Sequence, residues 1–424
     1  MDKSILSENV NTKSVFKNVN FMYLFIGTFV SQLGDVIYNM AISWYLLSVT
    51  KSAIIMSTYM AVGTIIYVIM GPIGGVIADR YNRKILIVMM DICRGFVIAL
   101  IGILMYFNLY SIWLFYAATV ILSICAVIYV PSSNALIPLI VNDENLTKAN
   151  SLNSSIQGIS NIFGLVAGGI LYTIIGIKGI FILNAVSYIV CGIMEFLIKL
   201  TNNKYNKILD EKKNIFKELV EGYKYLVTQK GFYILMWYMT FINFLLVQVG
   251  EVIIPFIFNQ ILKTSTQNYS YVGAANAAGV LIGAFIMSSL PLRNKINSII
   301  KFVMIIFSLF SILLLTVMFI YIKGIVSPVF VIITFIIIFG FVGIGYAIIN
   351  IPMSTLMQRI IPNEMLGRVG SLKTTLAMIA MPLGMITGGI LTDLFPVTLL
   401  LMINSILFIV MTLFIFVQKD IQKI

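Results

Sequence analysis

Long apolar runs separated by short polar intervals recur from one end of the chain to the other. A helix needs about 20 apolar residues to cross a bilayer. Runs near 20–47, 53–78, 84–107, 110–138, 147–176, 178–200, 232–262, 269–290, 296–322, 325–358, 366–394 and 397–418 meet that length. The pattern predicts an all-α integral membrane protein with twelve transmembrane helices. Several runs are longer than a bilayer requires and enclose Pro131, Pro255, Pro352 and Pro382, which points to tilted or kinked spans. The opening MDKSILSENVNTKSVFKNV is polar, and the run after it is too long for a signal-peptide core, so a first span is expected there and no cleavage. The one long hydrophilic stretch inside the chain, Thr201 to Gly231, parts the spans six and six. Three regions follow: an N-terminal six-helix bundle over 1–200, a cytoplasmic linker over 201–231 and a C-terminal six-helix bundle over 232–424. Within the linker Phe216, Leu219, Val220, Tyr223, Leu226 and Val227 recur at helical spacing among charges, predicting an amphipathic helix on the membrane face.

Composition sharpens this picture. The chain is 60% hydrophobic and 10% charged, with mean hydropathy +1.02, against roughly 25% charged residues in soluble domains. A soluble enzyme, a disordered tail and a disulfide scaffold are excluded; Cys93, Cys125 and Cys191 all sit in apolar runs and read as small packing residues. With no histidine, no phosphate-cradling G-x-x-x-x-G-K and no G-x-S-x-G, catalysis, a cofactor and a bound metal are not expected. Of the 28 Lys and Arg residues, all but Lys51, Lys178, Lys263 and Lys323 fall on one side of the predicted topology. The positive-inside rule then places both termini in the cytoplasm of a multi-pass plasma-membrane protein. The net charge of +12 reports that topology and calls for no nucleic-acid partner. The expected partners are the bilayer, a small-molecule substrate and protons, met by a monomer.

The sequence also repeats. Displaced by 220 residues, Glu144, Leu146, Ser151, Leu152, Gly164, Gly168, Gly169, Ile170, Leu171 and Asn184 meet Glu364, Leu366, Ser371, Leu372, Gly384, Gly388, Gly389, Ile390, Leu391 and Asn404. Displaced by 216, Gln32-Leu-Gly-Asp35 meets Gln248-Val-Gly-Glu251. Two like-oriented halves of this kind are the build of parallel-repeat transporters, whose substrate site lies between the halves.

Polar stripes mark the candidate cavity. Gln32, Asp35, Asn39 and Ser43 share one face of the first span, and Gln248 and Glu251 begin a matching stripe in the seventh. Tyr129 with Ser133, and Tyr346 with Asn350 and Ser354, lie four apart on the fourth and tenth spans. Facing lipid would cost several kcal/mol per ionised group, so the stripes face protein or water. Every Lys and Arg falls in a loop or at a span end except Arg94, which has Asp91 three residues earlier on its own helix. Asp35 and Glu251 therefore lack an evident cation and are the candidate proton-exchanging groups; a permanently protonated, hydrogen-bonded carboxyl is the alternative. Glu195 and Asp393 lie near span ends and read as meeting water.

Gly75-Val-Ile-Ala-Asp79-Arg80-Tyr-Asn82-Arg83-Lys84 resembles the loop signature of the major facilitator superfamily, G-x-x-x-D-R-x-G-R-[RK]. Ser31-Gln-Leu-Gly-Asp35, Ala41-Ile-Ser-Trp44 and Thr50-Lys-Ser52 further resemble its macrolide-efflux-like branch. The resemblance implies the major facilitator fold, with Gly75, Asp79, Arg80, Arg83 and Lys84 as a cytoplasmic gate; plain topogenic charge is the simpler reading. Asn82 replaces the usual glycine, tolerable because Asn enters the left-handed region easily. Gly158, Gly164, Gly168 and Gly169 resemble the glycine motif of the family's drug–proton antiporters, with Leu165 where a proline is usual, and would equally serve close helix packing. The fourth-helix arginine of the family is missing from Ser111 to Pro138. The implied activity is export of hydrophobic or amphipathic small molecules, of drug or macrolide type, by proton antiport with alternating access. Export of a siderophore or other metabolite, proton-coupled import and a non-transporting membrane sensor remain open on the residues.

Overall fold

A computed structural model describes residues 15–200, 223–289 and 296–418. The described residues form long helices: α1 (Val19–Thr50), α2 (Ala53–Arg80), α3 (Arg83–Tyr106), α4 (Ile112–Ile140), α5 (Asp143–Phe196), α6 (Lys230–Ile261), α7 (Thr266–Ser289), α8 (Ile296–Ile322), α9 (Pro328–Ile360), α10 (Asn363–Leu394) and α11 (Val397–Val417). All eleven are long and apolar enough to cross a membrane. Their 54-residue member, α5, is two spans in one: at 1.5 Å per residue it would run about 80 Å if straight, far beyond a bilayer. It folds back at Gly176, whose φ of 65° only glycine adopts without strain. The two arms restore the twelve-span count and meet where the sequence predicts a break. The architecture is therefore all-α, as the apolar runs require.

Short polar side chains set several helix starts. Asn18 accepts the Phe21 amide at 3.2 Å, Ser52 the Ile55 amide at 3.4 Å and Ser327 the Phe330 amide at 3.3 Å, each satisfying a donor that has no partner within its helix. Asn82 does the same for Lys84 and Ile85, at 3.1 and 3.3 Å, from an extended conformation with φ −64°. The left-handed backbone expected of Asn82 is thus not used: the residue stands here as the N-cap of α3. Inside α6, Pro255 cannot donate a backbone hydrogen bond, and π-helical turns flank it at Gln248–Ile253 and Ile257–Ile261. Of the amphipathic linker helix, a turn over residues 223–228 is described, with Leu226 buried in an apolar cluster that includes α6 and α9 residues and with Tyr223 and Val227 exposed. Phe216, Leu219 and Val220 lie outside the described residues.

Close crossings repeat as the sequence does. A Cβ on Gly169 of α5 would meet Gln267 Cα of α7 at 2.9 Å, and one on Gly389 of α10 would meet Ala53 O and Ile54 Cα of α2 at 3.0 Å. At the opposite, cation-rich end, Asn153 of α5 donates to Asn134 of α4 at 3.5 Å, and Lys373 of α10 to Ser354 of α9 at 3.3 Å. Both partners of each pair are displaced by the same 220 residues. Lys373, counted with a loop from the sequence, lies well inside α10.

At the cation-poor end Asp393 of α10 caps α2. Its carboxylate accepts from Ser52 Oγ at 2.5 Å, Ala53 N at 2.7 Å and Ile54 N at 3.1 Å, where the positive end of the helix dipole favours an anion. Beside it Trp44 of α1 stacks on Tyr269 of α7 with centroids 5.6 Å apart, and Gln260 of α6 donates to Leu47 O at 3.1 Å. Helices from the first and last parts of the chain are thus held together at this end. Asp393→Ala should weaken the crossing by about 1 kcal/mol, the worth of a lost cap, and broaden the distance distribution between spin labels on the facing ends of α2 and α10. An unchanged distribution would show that the cap does not hold the crossing.

Candidate functional site

A cavity of about 370 Å³ opens along α1. Asp35, Asn39 and Ser43 of the predicted stripe line it, opposite Tyr59, Met60 and Thr64 of α2, Thr119 and Ser123 of α4, and Met385 of α10. Its wall is amphipathic, with rings and thioethers beside hydroxyls and one carboxylate, a surface fit for a ligand that is mostly apolar. Gln32, one turn before Asp35, is half-buried and does not reach it.

Asp35 is not without a cation. Arg94 of α3, only 4% exposed, reaches from the cavity wall to place Nη1 3.9 Å from Asp35 Oδ2. Tyr188 of α5 donates its hydroxyl to Asp35 Oδ1. The expectation that Asp35 lacks a basic partner is corrected: the partner comes from another helix, and sequence spacing along one helix cannot show it. Arg94 also binds Asp91 through Nη2, and its guanidinium lies between the rings of Tyr129 and Tyr188, 4.4 and 4.6 Å from their centroids. Stacking on two faces suits a planar, weakly hydrated cation and would not suit lysine.

Behind the guanidinium sits a further carboxyl. Glu195 of α5 is fully buried, where the sequence suggested a water-facing span end, and accepts the Tyr129 hydroxyl at 2.8 Å. Tyr129 is therefore committed to Glu195, Arg94 and Thr28, and Ser133 is 4% exposed. Neither lines the cavity as expected: α4 meets it at Thr119 and Ser123, and Tyr129 is taken up by Glu195, Thr28 and Arg94. The signals for the missed residues were present: Asn184, Tyr188, Cys191 and Glu195 recur at spacings of 4, 3 and 4 on one face of an apolar helix, and Asp91 and Arg94 are one turn apart in mid-span.

The stripe on α6 divides. Gln248 is buried, donates to Thr387 of α10 at 2.9 Å and does not line this cavity. Glu251, in the π-helical turn, has an exposed side chain outside the lining of the cavity, and among the described residues it makes no hydrogen bond or ion pair. On α9 Tyr346 is 40% exposed, and Asn350 donates to its carbonyl at 3.0 Å. The loop cluster lies at the cation-rich end, away from the cavity. There Asp79 pairs with Arg83 at 3.9 Å, Arg83 donates to Ala135 O of α4 at 3.3 Å, and Lys84 stands over the Phe196 ring at 5.2 Å. Gly75 faces open space, Arg80 is exposed, and among the described residues Asp79 reaches nothing in the second half. Gly164 and Gly168 of α5 lie against α1, where a Cβ would come to 2.8 Å from Val36 Cβ and 3.4 Å from Ile37 Cα; Gly169 faces α7. These glycines serve close packing and keep α5 tight against the helix that carries Asp35.

The model of the Major Facilitator Superfamily matches residues 24–385 of this chain. Macrolide efflux protein A of Streptococcus pyogenes is 25% identical over 378 residues, covering 88% of this chain and 90% of that protein. An MFS-type transporter of Bacillus subtilis (strain 168), YkuC, is 32% identical over 186 residues, covering 42% of each. Among solved structures, the nucleoside transporter NupG superposes with a TM-score of 0.73 at 11% identity, covering 94% of this chain and 100% of that one. A bacterial homologue of the iron transporter ferroportin gives 0.72 at 16% identity, covering 96% and 100%.

Removing one member of a buried ion pair leaves the other charge without compensation. Arg94→Leu should therefore destabilise the protein by about 3–5 kcal/mol, read as an earlier thermal unfolding transition in detergent. Arg94→Leu combined with Asp91→Leu should recover most of that loss. Equal instability of the single and double variants would show that packing at Arg94, and not the charge pair, holds the bundle.

Proposed function

The chain belongs to the major facilitator superfamily, a family of membrane transporters and not of enzymes, and on that premise we propose that it exports hydrophobic or amphipathic small molecules by proton antiport with alternating access. The observation that carries this reading is the placement of Asp35: a carboxylate on the wall of an amphipathic cavity, held by a buried arginine and a tyrosine hydroxyl. Such a group can trade a proton for an ion pair each time the cavity changes sides. The macrolide efflux relatives support export of drug-like compounds, since they align over most of the chain.

The cation-rich end is assigned to the cytoplasm, with both termini. Closure at the other end, through Asp393, Trp44 and Gln260, then makes this an arrangement shut to the outside. On the cytoplasmic side Gly75, Asp79, Arg80, Arg83 and Lys84 form the gate, and Asp79 engages the second half when the protein turns outward. The regions 1–200 and 232–424 are the rocking halves, joined by 201–231. Rocking about a fixed site needs no large change within a half, only exchange of the contacts between them. Glu251 is the second proposed coupling carboxyl, on the strength of its exposed side chain and its position in the repeat.

Asp35→Asn tests the coupling. Asparagine keeps the size of the side chain and an oxygen for Tyr188, and it cannot exchange a proton. Efflux from loaded vesicles driven by an imposed pH step should be lost, while binding of a neutral substrate and downhill flux survive; Glu251→Gln should have the same or a milder effect. Asp35→Asn vesicles that answer the pH step as wild type does would place coupling elsewhere.

A further inference from the structure

The described residues place three carboxyl groups and a single guanidinium in one contiguous cluster. Asp35 has an outlet, since its side chain is 32% exposed and lines the cavity. Asp91 and Glu195 have none, both being 0% exposed. One oxygen of each is satisfied, Asp91 Oδ1 by Arg94 and Glu195 Oε1 by Tyr129. The other oxygen of each, Asp91 Oδ2 and Glu195 Oε2, is buried with no hydrogen-bond partner. Carboxylate oxygens of the two residues come within 4.8 Å of one another, with Cys191 Sγ in the same group.

Two ionised carboxylates this close, enclosed and sharing one arginine that also serves Asp35, would leave at least one negative charge with neither water nor a cation. Such a charge costs several kcal/mol, and in practice a buried group avoids it by taking up a proton. A carboxyl that has taken up a proton becomes a donor, and a donor is what these two neighbouring carboxyls, each with an orphan acceptor, lack. The other titratable groups around the pair offer no cation in Arg94's place: Asp35 from α1, Cys125 and Tyr129 from α4, and Tyr188 and Cys191 from α5.

We propose that Asp91 and Glu195 share one proton behind Arg94, so that the first half holds a second, enclosed proton site which the guanidinium links to Asp35. Arg94 is the positioning residue. It is bound to Asp91 and 3.9 Å from Asp35, so a shift toward the cavity carboxylate leaves Asp91 to be satisfied by the shared proton alone. The link to transport rests on the antiport reading; the shared proton does not.

Infrared difference spectroscopy of the purified protein, in the region of the protonated-carboxyl C=O stretch, tests this at rest and without substrate. Wild type should show a band that shifts in D2O, and Glu195→Gln should abolish it, because the remaining Asp91 is ionised against Arg94. Asp91→Asn should keep the band and move it, Glu195 having lost the oxygen it bonds. Tyr129→Phe, which removes a hydroxyl and no charge, should also move it and stands in if Glu195→Gln fails to fold. In Asp35→Asn the band should disappear at lower pH than in wild type, because a neutral side chain at 35 no longer opposes the second negative charge. A spectrum that Glu195→Gln leaves unaltered, or a stoichiometric divalent metal held by the wild-type cluster, would overturn the shared proton. A titration unmoved by Asp35→Asn would sever the link through Arg94. Because the band belongs to the resting protein, a chain that fails the vesicle assay can still show it, and the two readings fall separately.

Discussion

The guanidinium of Arg94 is the group around which the first half of the molecule is arranged. It brings together α3, which carries it and Asp91, α1 through Asp35, α4 through the Tyr129 ring and α5 through Tyr188. A charge at this depth is tolerated only when it is paired, and Arg94 is paired through its Nη atoms with Asp91 and Asp35. That requirement fixes the rotation of four helices about their axes. Tyr129 of α4 is turned onto the guanidinium, while Thr119 and Ser123 of the same helix line the cavity.

The second half reaches the same architecture without this device. At the 220-residue displacement Tyr188, Cys191 and Glu195 become Phe408, Met411 and Ile415, while Asn184 is kept as Asn404. Phe408 and Ile415 are buried in an apolar core with Phe307 and Met304, and the polar contact there is a Ser308–Thr412 hydrogen bond of 2.7 Å. One fold is therefore held by two different cores. An enclosed carboxyl network needs an arginine; an apolar core needs only volume. The asymmetry extends to the cation-poor end, where Asp393 caps α2 and its counterpart Thr173 donates to Gly169 O of its own helix.

Span positions and the repeat could be read along the chain because both depend on residues close together in sequence. Apolar run length gives the helices, Gly176 the sharp turn in α5, and shared glycines the crossings at Gly169 and Gly389. The cavity was legible for Asp35 and Asn39, whose stripe stands on one helix. What escaped was any property set by two helices at once. Arg94 has Asp91 on its own helix, Glu195 stands near the end of a span and Gln248 lies on a polar stripe, yet each meets a residue of another helix: Asp35, Tyr129 and Thr387. Periodicity gives the face of a helix. It does not say which neighbour that face will meet.

The turn at Gly176 bears on how the protein is made. The arms of α5 meet at the non-helical residue Gly176, so very little chain separates the fifth and sixth spans. The tip carries a single cation, Lys178, which reaches Asn108 at 3.4 Å and the Tyr106 ring at 5.8 Å. On the proposed orientation this turn is the end of the pair that must cross the membrane, and the one charge it carries has a polar and an aromatic contact there. Additional lysines or arginines at the same point would tax insertion well before they disturbed the finished fold.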